Sequence, residues 1–545
     1  MKTLFRFTVP LGALGLIGLF AISATLASPG SAPLLRPAET RTAEAMATAS
    51  ALTSTAIAQP AAAPTQSPST ATGIRRPLGV YARVDLTEFI AVQKKADHSI
   101  TPAELETKFE GLFAGLLANP AISGLTIGVH WDVVNPNPPT GAAQPYDWTY
   151  LDAAFNQVAL WNRQHPTAPP KTVQLITSAG FNSPQWVFNQ IPSCDPLFTP
   201  GEAAPSNCGK VTITGYTEAG GGDGTVLPLP WNPVYQNAWE TYLKALAARY
   251  GSNPAFVSIT VAGPTAASTE MFLPSDKGTP NQTQFGGITP DDMWRKLFAL
   301  QYPNQPAYQN SDQAFIDAWE NAIDLYGQVF SGVTFVMSPD TGGLPDFSQS
   351  YPPPPSTDTL YSNGDCSAPD MDCAAITMIL THFIDPTVDG NNAKSTQTGG
   401  LKAFNGDKNI GVPGVKLLAQ MTEQLAGTAR ILGGEQFDHS FVTDEPFEGC
   451  PTKTCTGTIS AEQGEFNVLK ALFDGTPAAT SFDGNQGSAP LDYLQVDYQD
   501  VQYATANVKK LTQVDTGSGN VMMSAQDLLN LASQKLLQIA AANGG

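Results

Sequence analysis

Two short β-rich runs, Gly79–Asp85 (GVYARVD) and Leu125–Trp131 (LTIGVHW), decide the fold, because a helix is predicted between them. That helix opens at Thr101-Pro-Ala-Glu104, which has the pattern of a capping box with proline at the first helical position. Its apolar face, at helical spacing, consists of Leu105, Phe109, Leu112, Phe113, Leu116 and Leu117. A strand, a helix and a second strand in succession are typical of a βα unit in a parallel sheet.

The same alternation continues to the end of the chain. Further strands are predicted at Thr172–Ala179, Phe256–Gly263, Val333–Ser338, Lys394–Leu401, Val415–Met421 and Leu491–Asp497. Helices are predicted at Leu151–Gln164, Ile376–Ile384 and Ser460–Phe473, around Trp239 and Trp319, and from Ser524. Eight strands joined by right-handed crossovers indicate an α/β fold, a (β/α)8 barrel of the TIM type with loop insertions. A doubly wound open sheet is the alternative, but it favours a glycine-rich turn after the first strand, and GVYARVD has none.

The first part of the chain is predicted to lie outside this barrel. Lys2 and Arg6 precede an apolar run that ends in small residues, so residues 1–27 have the pattern of a signal peptide. An uncleaved membrane anchor is the alternative. Residues 28–75 are rich in Ala, Pro, Ser and Thr, which predicts a disordered linker before a domain at 76–545. We therefore expect a secreted or cell-surface protein, with a possible membrane or wall tether through the N-terminal segment.

The six cysteines fall in three close pairs, which favours disulfides in an exported chain. The pairs are Cys194 with Cys208, Cys366 with Cys373, and Cys450 with Cys455. Pairing of neighbours is an expectation, because six cysteines allow 15 connectivities. No pair has the Cys-x2-Cys spacing of zinc sites and the five histidines are scattered, so no metal and no other cofactor is expected.

The charge balance argues against nucleic acid as a partner. The formal net charge is −20, from 28 basic and 48 acidic residues, whereas nucleic-acid binding requires a basic surface. A low total charge with abundant Gly, Pro and Asn suits an extracellular protein that handles a neutral polar ligand. Solubility alone is the alternative explanation for the acidic balance.

In a barrel of this kind the active site lies at the carboxyl ends of the strands. The candidate residues are therefore the polar and aromatic side chains just after each predicted strand. They are Asp85, His130, Trp131, Asp132, Asn182, Trp186, Glu270, Asp340, Glu423, Asp497 and Asp500.

Several motifs along residues 78–275 resemble one large family when taken in order. They are His130-Trp-Asp-Val-Val-Asn-Pro, Tyr146-Asp-Trp, Ser178-Ala-Gly-Phe-Asn-Ser-Pro-Gln-Trp186, Pro228-Leu-Pro-Trp-Asn-Pro and Ser268-Thr-Glu-Met271. This order resembles the retaining (β/α)8 glycoside hydrolases, especially the β-galactosidase-like and cellulase-like branches. The order and spacing of the motifs carry the resemblance, because each motif alone is weak.

The resemblance implies a pair of catalytic carboxylates. The general acid/base of that family is a Glu after strand four, which matches Glu270, although Thr269 replaces the Asn that usually precedes it and binds the sugar 2-hydroxyl. The nucleophile is a Glu at the end of strand seven, which matches Glu423 if Val415–Met421 is that strand; Glu435, Glu445 and Asp497 are alternatives. A retaining enzyme holds the two carboxyl groups roughly 5 Å apart.

Substrate contacts are expected from Trp131, Asn182, Trp186 and Asp497. Trp131 and Trp186 would stack on sugar faces, and Asn182 would bind hydroxyls, although packing at the barrel rim is the alternative for both tryptophans. The leading hypothesis is thus a secreted glycosidase that cleaves a β-linked carbohydrate by double displacement. The rival is a non-catalytic glycan-binding protein on a degenerate glycosidase barrel, suggested by Thr269 and by the unsettled second carboxylate.

Overall fold

The structure is a computed structural model that describes most of the chain after residue 74. The described residues are 75–141, 143–213, 225–266, 271–276, 288–310, 312–337, 344–345, 375, 378–379, 382–383, 394–401, 432–437, 460–474 and 492–542. The signal peptide and almost all of the linker lie outside these ranges, so both stay predictions. Among the described helices, none has the length and apolar character needed to cross a bilayer.

Twelve strands are described, and eight of them form a closed, all-parallel barrel. The strands are β1 (Gly79–Asp85), β2 (Ile122–His130), β3 (Thr172–Ser178), β4 (Lys210–Ile213), β5 (Thr225–Pro228), β6 (Phe256–Thr260), β7 (Thr334–Met337), β8 (Lys394–Leu401), β9 (Leu432–Phe437), β10 (Tyr493–Asp497), β11 (Thr512–Asp515) and β12 (Asn520–Met523). The barrel order is β1-β2-β3-β6-β7-β8-β9-β10, and β10 pairs back onto β1. This closure confirms the barrel and excludes the open sheet.

Seven of the eight predicted barrel strands are found, with ends that differ by at most three residues. The prediction for strand seven is wrong. The seventh place is taken by Leu432–Phe437, which pairs with β8 on one side and β10 on the other. Its sequence, LGGEQF, contains two glycines and two polar residues, so it has little of the apolar, β-branched signal that marks a buried strand. Val415–Met421, the run that was more apolar, lies outside the described residues.

Helices connect the strands on the outside of the barrel. They are α1 (Leu86–Ala96), α2 (Pro102–Ala118), α3 (Trp131–Val134), α4 (Thr149–Gln164), α5 (Gln185–Phe188), α6 (Pro233–Tyr250), α7 (Pro290–Gln301), α8 (Pro306–Asn310), α9 (Gln313–Val329), α10 (Ala461–Asp474), α11 (Tyr498–Ala506) and α12 (Ala525–Ala542). The capping box of α2 is present, and all six predicted apolar residues of its inner face are buried. Ser524 and Asp527 form the second predicted capping box, at the start of α12.

One of the three expected disulfides falls within the described residues and is present. Cys194 and Cys208 are bonded, which confirms the pairing of neighbours for the first two cysteines, and both are buried. The other four cysteines lie outside the described residues, so the pairing expected for them stays a prediction. They are Cys366, Cys373, Cys450 and Cys455.

The insertion between β3 and α6 is a compact unit held by this disulfide. The antiparallel hairpin of β4 and β5 follows the disulfide along the chain. Asp195 accepts hydrogen bonds from the backbone N–H and the hydroxyl of Thr212 on β4. The insertion therefore has its own cross-link and hydrogen bonds instead of depending only on its attachment to the barrel.

Arg75 fixes the start of the described chain at the amino end of the barrel. Its guanidinium donates to the carbonyl oxygens of Gly251, Asn253, Ser331 and Gly332, at distances of 2.5 to 3.1 Å. These carbonyls belong to the segments that lead into β6 and β7. Hydrogen bonds from a charged donor are stronger than neutral ones, so this contact holds the incoming chain against the barrel.

Lys171 is a buried cation at the same end. Its Nζ donates to the carbonyl oxygens of Leu117, Asn119 and Ile122 at 2.6, 3.1 and 2.6 Å, which satisfies the end of α2 and the start of β2. The ammonium also lies 4.4 Å from the centre of the Trp161 ring. Burial lowers the pKa of Lys171 to about 8, from an ordinary value of 10.5.

This lowered pKa predicts a pH dependence of stability. Between pH 8 and 10.5 the unfolded chain holds a proton on Lys171 that the folded chain has lost, so the free energy of unfolding rises with pH across this window. The rise is expected to reach about 3 kcal/mol at most. Urea unfolding of the wild type and of Lys171→Met, each at about pH 7 and about pH 10, measures it. Equal pH dependence in the two proteins would contradict the assignment.

Candidate functional site

The carboxyl ends of the eight parallel strands meet at one face of the barrel, called the mouth below. The last residues of these strands are Asp85, His130, Ser178, Thr260, Met337, Leu401, Phe437 and Asp497. Polar residues also line the barrel below the mouth: the Gln174 side-chain oxygen accepts hydrogen bonds from Thr126 at 2.5 Å and from Gln495 at 2.8 Å. The carboxyl ends of β2, β3 and β10 therefore lie above a hydrogen-bonded polar layer.

The loops after β3 and β6 are joined at the mouth. Gly180 has a φ of +62°, and a side chain there would overlap the carbonyl oxygens of Thr265 and Ala266. The N–H of Phe181 donates to Ala266 O, and Ala266 N–H donates to Phe272 O at 2.7 Å. Residues 265–266 and 271–272 are thus held against the loop that follows β3.

Glu270 belongs to the segment that this contact encloses. Residues 267–270 lie outside the described residues, so the role of Glu270 stays a prediction. Its bonded neighbour Met271 is fully buried, as are Ala266 and Leu273 on either side of the segment. The residues on both sides of the segment are therefore fixed in the core after β6, the fourth barrel strand.

Asn182 and Trp186 lie on the β3 side of the same contact. Asn182 Nδ2 donates to Ser178 Oγ at 3.0 Å, which directs the amide back to the end of β3. Trp186 is half-buried, and its Nε1 donates to the carbonyl oxygen of Asn135 at 3.0 Å. This hydrogen bond fixes one edge of the indole while leaving part of the ring open to solvent. Both residues therefore lie at the mouth, and their contacts with substrate stay predictions.

Trp131 does not have the exposed face that sugar stacking requires. Its side chain is fully buried, and its Nε1 donates to Asn135 Oδ1 at 3.1 Å. Four aromatic rings surround it at centroid distances of 5.0 to 6.3 Å: Trp186, Tyr235, Trp239 and Tyr242. The prediction of a substrate contact at Trp131 is therefore wrong, and the rim-packing alternative is correct. Its position after β2 turns it toward α6 instead of the mouth.

Three carboxylates, those of Asp85, Asp132 and Asp497, follow or end β1, β2 and β10 on one side of the mouth. Asp85 and Asp497 each cap the helix that follows their strand, accepting from Glu88 N–H at 2.9 Å and from Gln499 N–H at 2.8 Å. Asp497 thus has a structural role, and its predicted contact with substrate stays a prediction. Partial burial raises the pKa of Asp132, and the nearby His130 opposes this shift.

Arg83 is a candidate that the sequence did not single out. It lies on β1 two residues before Asp85, in register with Asp497 on β10 and with Thr126 on β2. Among the described residues no acceptor lies within hydrogen-bonding distance of its buried Nε. Side chains alternate between the two faces of a strand, so the sequence GVYARVD places Arg83 on the same face of β1 as Tyr81 and Asp85. This alternation is the sequence signal from which Arg83 could have been predicted as a site residue.

The described part of the chain does not identify the second carboxylate that the resemblance implies. Glu423 and Glu445 lie outside the described residues, and Glu423 loses the reason for its choice because strand seven is Leu432–Phe437. Glu435 lies on that strand, with its backbone in register with Thr398 and Leu494. No group of three or more potential metal ligands is found in the part of the chain that the structure describes.

Comparisons of the sequence with protein-family models and with curated proteins find no match. Among solved structures, the catalytic domain of β-amylase from Paenibacillus polymyxa is similar at 12% identity and a TM-score of 0.37, over 78% of this chain and 94% of that one. Endo-glycoceramidase II from Rhodococcus sp., in complex with ganglioside GM3, is similar at 14% identity and a TM-score of 0.29, over 67% of this chain and 68% of that one. β-Glycosidase BGL167 is similar at 12% identity and a TM-score of 0.32, over 79% of this chain and 87% of that one. The barrel assignment itself rests on the strand order described above.

Proposed function

We propose that this protein is a glycosidase that cleaves a β-linked, neutral glycan by double displacement, with Glu270 as the general acid/base. The observation that supports this proposal best is the joined pair of loops after β3 and β6. They hold Ala266 and Phe272, which lie on either side of the segment that contains Glu270, against the loop that carries Asn182 and Trp186. An acid, a hydroxyl-binding amide and a partly open indole are among the groups with which a glycosidase binds a sugar and cleaves its glycosidic bond.

The mechanism requires two carboxylates in different protonation states. Glu270 would donate a proton to the leaving oxygen while a second, ionised carboxylate attacks the anomeric carbon from the opposite face. In the second step Glu270 would take a proton from water, and that water releases the sugar from the covalent intermediate. Two residues are candidates for this nucleophile: Glu423, which the family resemblance suggested, and Glu435, which lies on the strand that takes the seventh place in the barrel.

Secretion or display at the cell surface completes the proposal. The buried Cys194–Cys208 disulfide supports it, because disulfides form and persist outside the reducing cytosol. The proposed partner is therefore an extracellular carbohydrate.

The stereochemistry of hydrolysis tests the proposal directly. We expect the purified chain to hydrolyse at least one member of a panel of nitrophenyl β-glycosides, and the first sugar released to be the β-anomer in ¹H NMR spectra. Release of the α-anomer would disprove double displacement, although the protein would still be a glycosidase. Binding of glycans without hydrolysis of any of them would instead favour the non-catalytic, glycan-binding alternative.

A further inference from the structure

The interior of the barrel below the mouth contains polar side chains that point inward. Gln495 on β10 and Gln174 on β3 are joined by a hydrogen bond of 2.8 Å, although β1 and β2 lie between their strands in the barrel order. That bond therefore crosses the interior. Thr126 on β2 donates to the same Gln174 oxygen, so its side chain also faces inward. Arg83 on β1 is in register with Thr126, and residues paired across neighbouring strands share a face, so Arg83 points into the barrel as well.

The guanidinium of Arg83 is a free cation among the described residues. It takes part in no hydrogen bond and no ion pair with any of them. The side chain is half-buried: its Nε is buried, whereas its two terminal nitrogens keep contact with solvent. Asp85, two residues later on the same face, ends β1 at the mouth. The terminal nitrogens of Arg83 are therefore within reach of a group that lies in the mouth.

The side chains around Arg83 supply donors instead of acceptors. The side-chain oxygen of Gln174 already accepts two hydrogen bonds, and its amide nitrogen is a buried donor without an acceptor in the described structure. The carboxylates of Asp85 and Asp497 each accept from the first turn of the helix that follows, and neither forms an ion pair with Arg83. At this level of the barrel, the described residues therefore leave donors unpaired and offer them no acceptor.

The chemistry of a guanidinium determines which group it binds best. A charge that is partly removed from water and has no counter-ion is unfavourable, and an anion that pairs with it offsets this cost. The guanidinium is a planar fork whose parallel N–H groups match the two oxygens of a carboxylate. It donates only, so a group that is itself a donor gains less from it. The free fork of Arg83 therefore favours a carboxylate over a hydroxyl.

We propose that Arg83 binds one ionised carboxylate at the floor of the mouth. This carboxylate has two sources. The first is the chain's own second catalytic carboxylate, which double displacement requires in the ionised state, and this source rests on the proposed function. The second is the carboxylate of an acidic sugar, which would replace the neutral glycan of the proposed function by an acidic one. Measurements on Arg83→Met distinguish the two sources.

Urea unfolding at two pH values tests the first source. A carboxylate paired with Arg83 has a lowered pKa in the folded chain, so the pair stabilises the fold at neutral pH and no longer does so below that pKa. Arg83→Met leaves the carboxylate unpaired, so its urea midpoint should fall by about 1 M at about pH 7 and match the parent at about pH 3. Arg163→Met, at an exposed arginine in the last turn of α4, is the matched control and should unfold like the parent at both pH values. Should Arg83→Met fail to fold, Arg83→Lys takes its place, with a smaller loss of the same pH dependence.

Protection against unfolding tests the second source. In that case ligand-free Arg83→Met is at least as stable as the parent, and sodium glucuronate or galacturonate raises the urea midpoint of the parent but not of the variant. Glucose, galactose and sodium chloride at equal ionic strength are the controls and should protect neither protein. The proposal is overturned if Arg83→Met loses neither stability at pH 7 nor protection by a uronate, or if chloride protects the parent as well as the uronates do. Neither measurement requires hydrolysis, so failure of the proposed activity stays distinguishable from failure of this site.

Discussion

Replacing Glu270 with Gln is expected to lower kcat/KM for a nitrophenyl β-glycoside by about 10²- to 10⁴-fold, the usual contribution of a general acid/base. Gln has nearly the same shape as Glu but cannot donate a proton to the leaving oxygen or accept one from water. The buried flanks of its segment, Ala266 and Met271, do not change, so the fold should persist. Far-ultraviolet circular dichroism and the thermal unfolding midpoint, measured together with the kinetics, check this.

The leaving group makes this prediction specific to an acid/base. Loss of proton donation should matter most for a poor leaving group such as an alkyl alcohol, and least for dinitrophenol, whose departure needs little protonation. Added azide should restore turnover of the dinitrophenyl glycoside and give a β-glycosyl azide. Glu110→Gln, an exposed carboxylate on α2, is the matched control and should retain full activity. Unchanged turnover in Glu270→Gln would refute its assignment.

Replacing Trp131 with Ala should destabilise the fold by about 3–5 kcal/mol, the range for large aromatic-to-alanine changes in a core. The substitution removes a fully buried side chain, its contacts with four rings and its hydrogen bond to Asn135. It leaves a cavity between β2 and α6 that these rings can fill only in part. Urea unfolding followed by tryptophan fluorescence measures the loss.

Trp186→Ala is the comparison that separates packing from binding. Trp186 is half-buried at the mouth, so its removal should cost clearly less stability than that of Trp131 but should raise KM for the glycoside. The packing role of Trp131 would be refuted if Trp131→Ala unfolded at the same urea concentration as the wild type and only KM changed. Trp131 would then contact substrate.

The fold was largely predictable because its strongest signals are local. The capping box at Thr101 and Glu104 and the apolar face after it depend on residues within a few turns of each other. Strand seven was missed because its sequence, LGGEQF, acquires its structure from pairing with β8 and β10. Such pairing partners are distant in the sequence, and a run of two glycines gives no periodicity from which to infer them.

The site was harder to predict, because the exposure of a side chain depends on which residues from distant parts of the sequence pack against it. An aromatic residue after a barrel strand is equally compatible with stacking on a sugar and with packing under a helix. Trp131 is buried because Tyr235 and Trp239 of α6, about a hundred residues later, lie against it. The position of Asn182 was easier to predict, because the residue that it contacts, Ser178 at the end of β3, is close to it in the sequence. Arg83 was overlooked because it lies inside a strand instead of after one.

The Arg75 contact has a consequence for how the protein can be immobilised. It holds the start of the domain at the amino end of the barrel, and the six residue steps of β1 place the mouth about 20 Å away, at the opposite end. Coupling the chain to a bead or fusing it to a carrier through residues before Arg75 should therefore leave the mouth open to polymers too large to diffuse around the barrel. Coupling through the loops after β3 or β6 should block them.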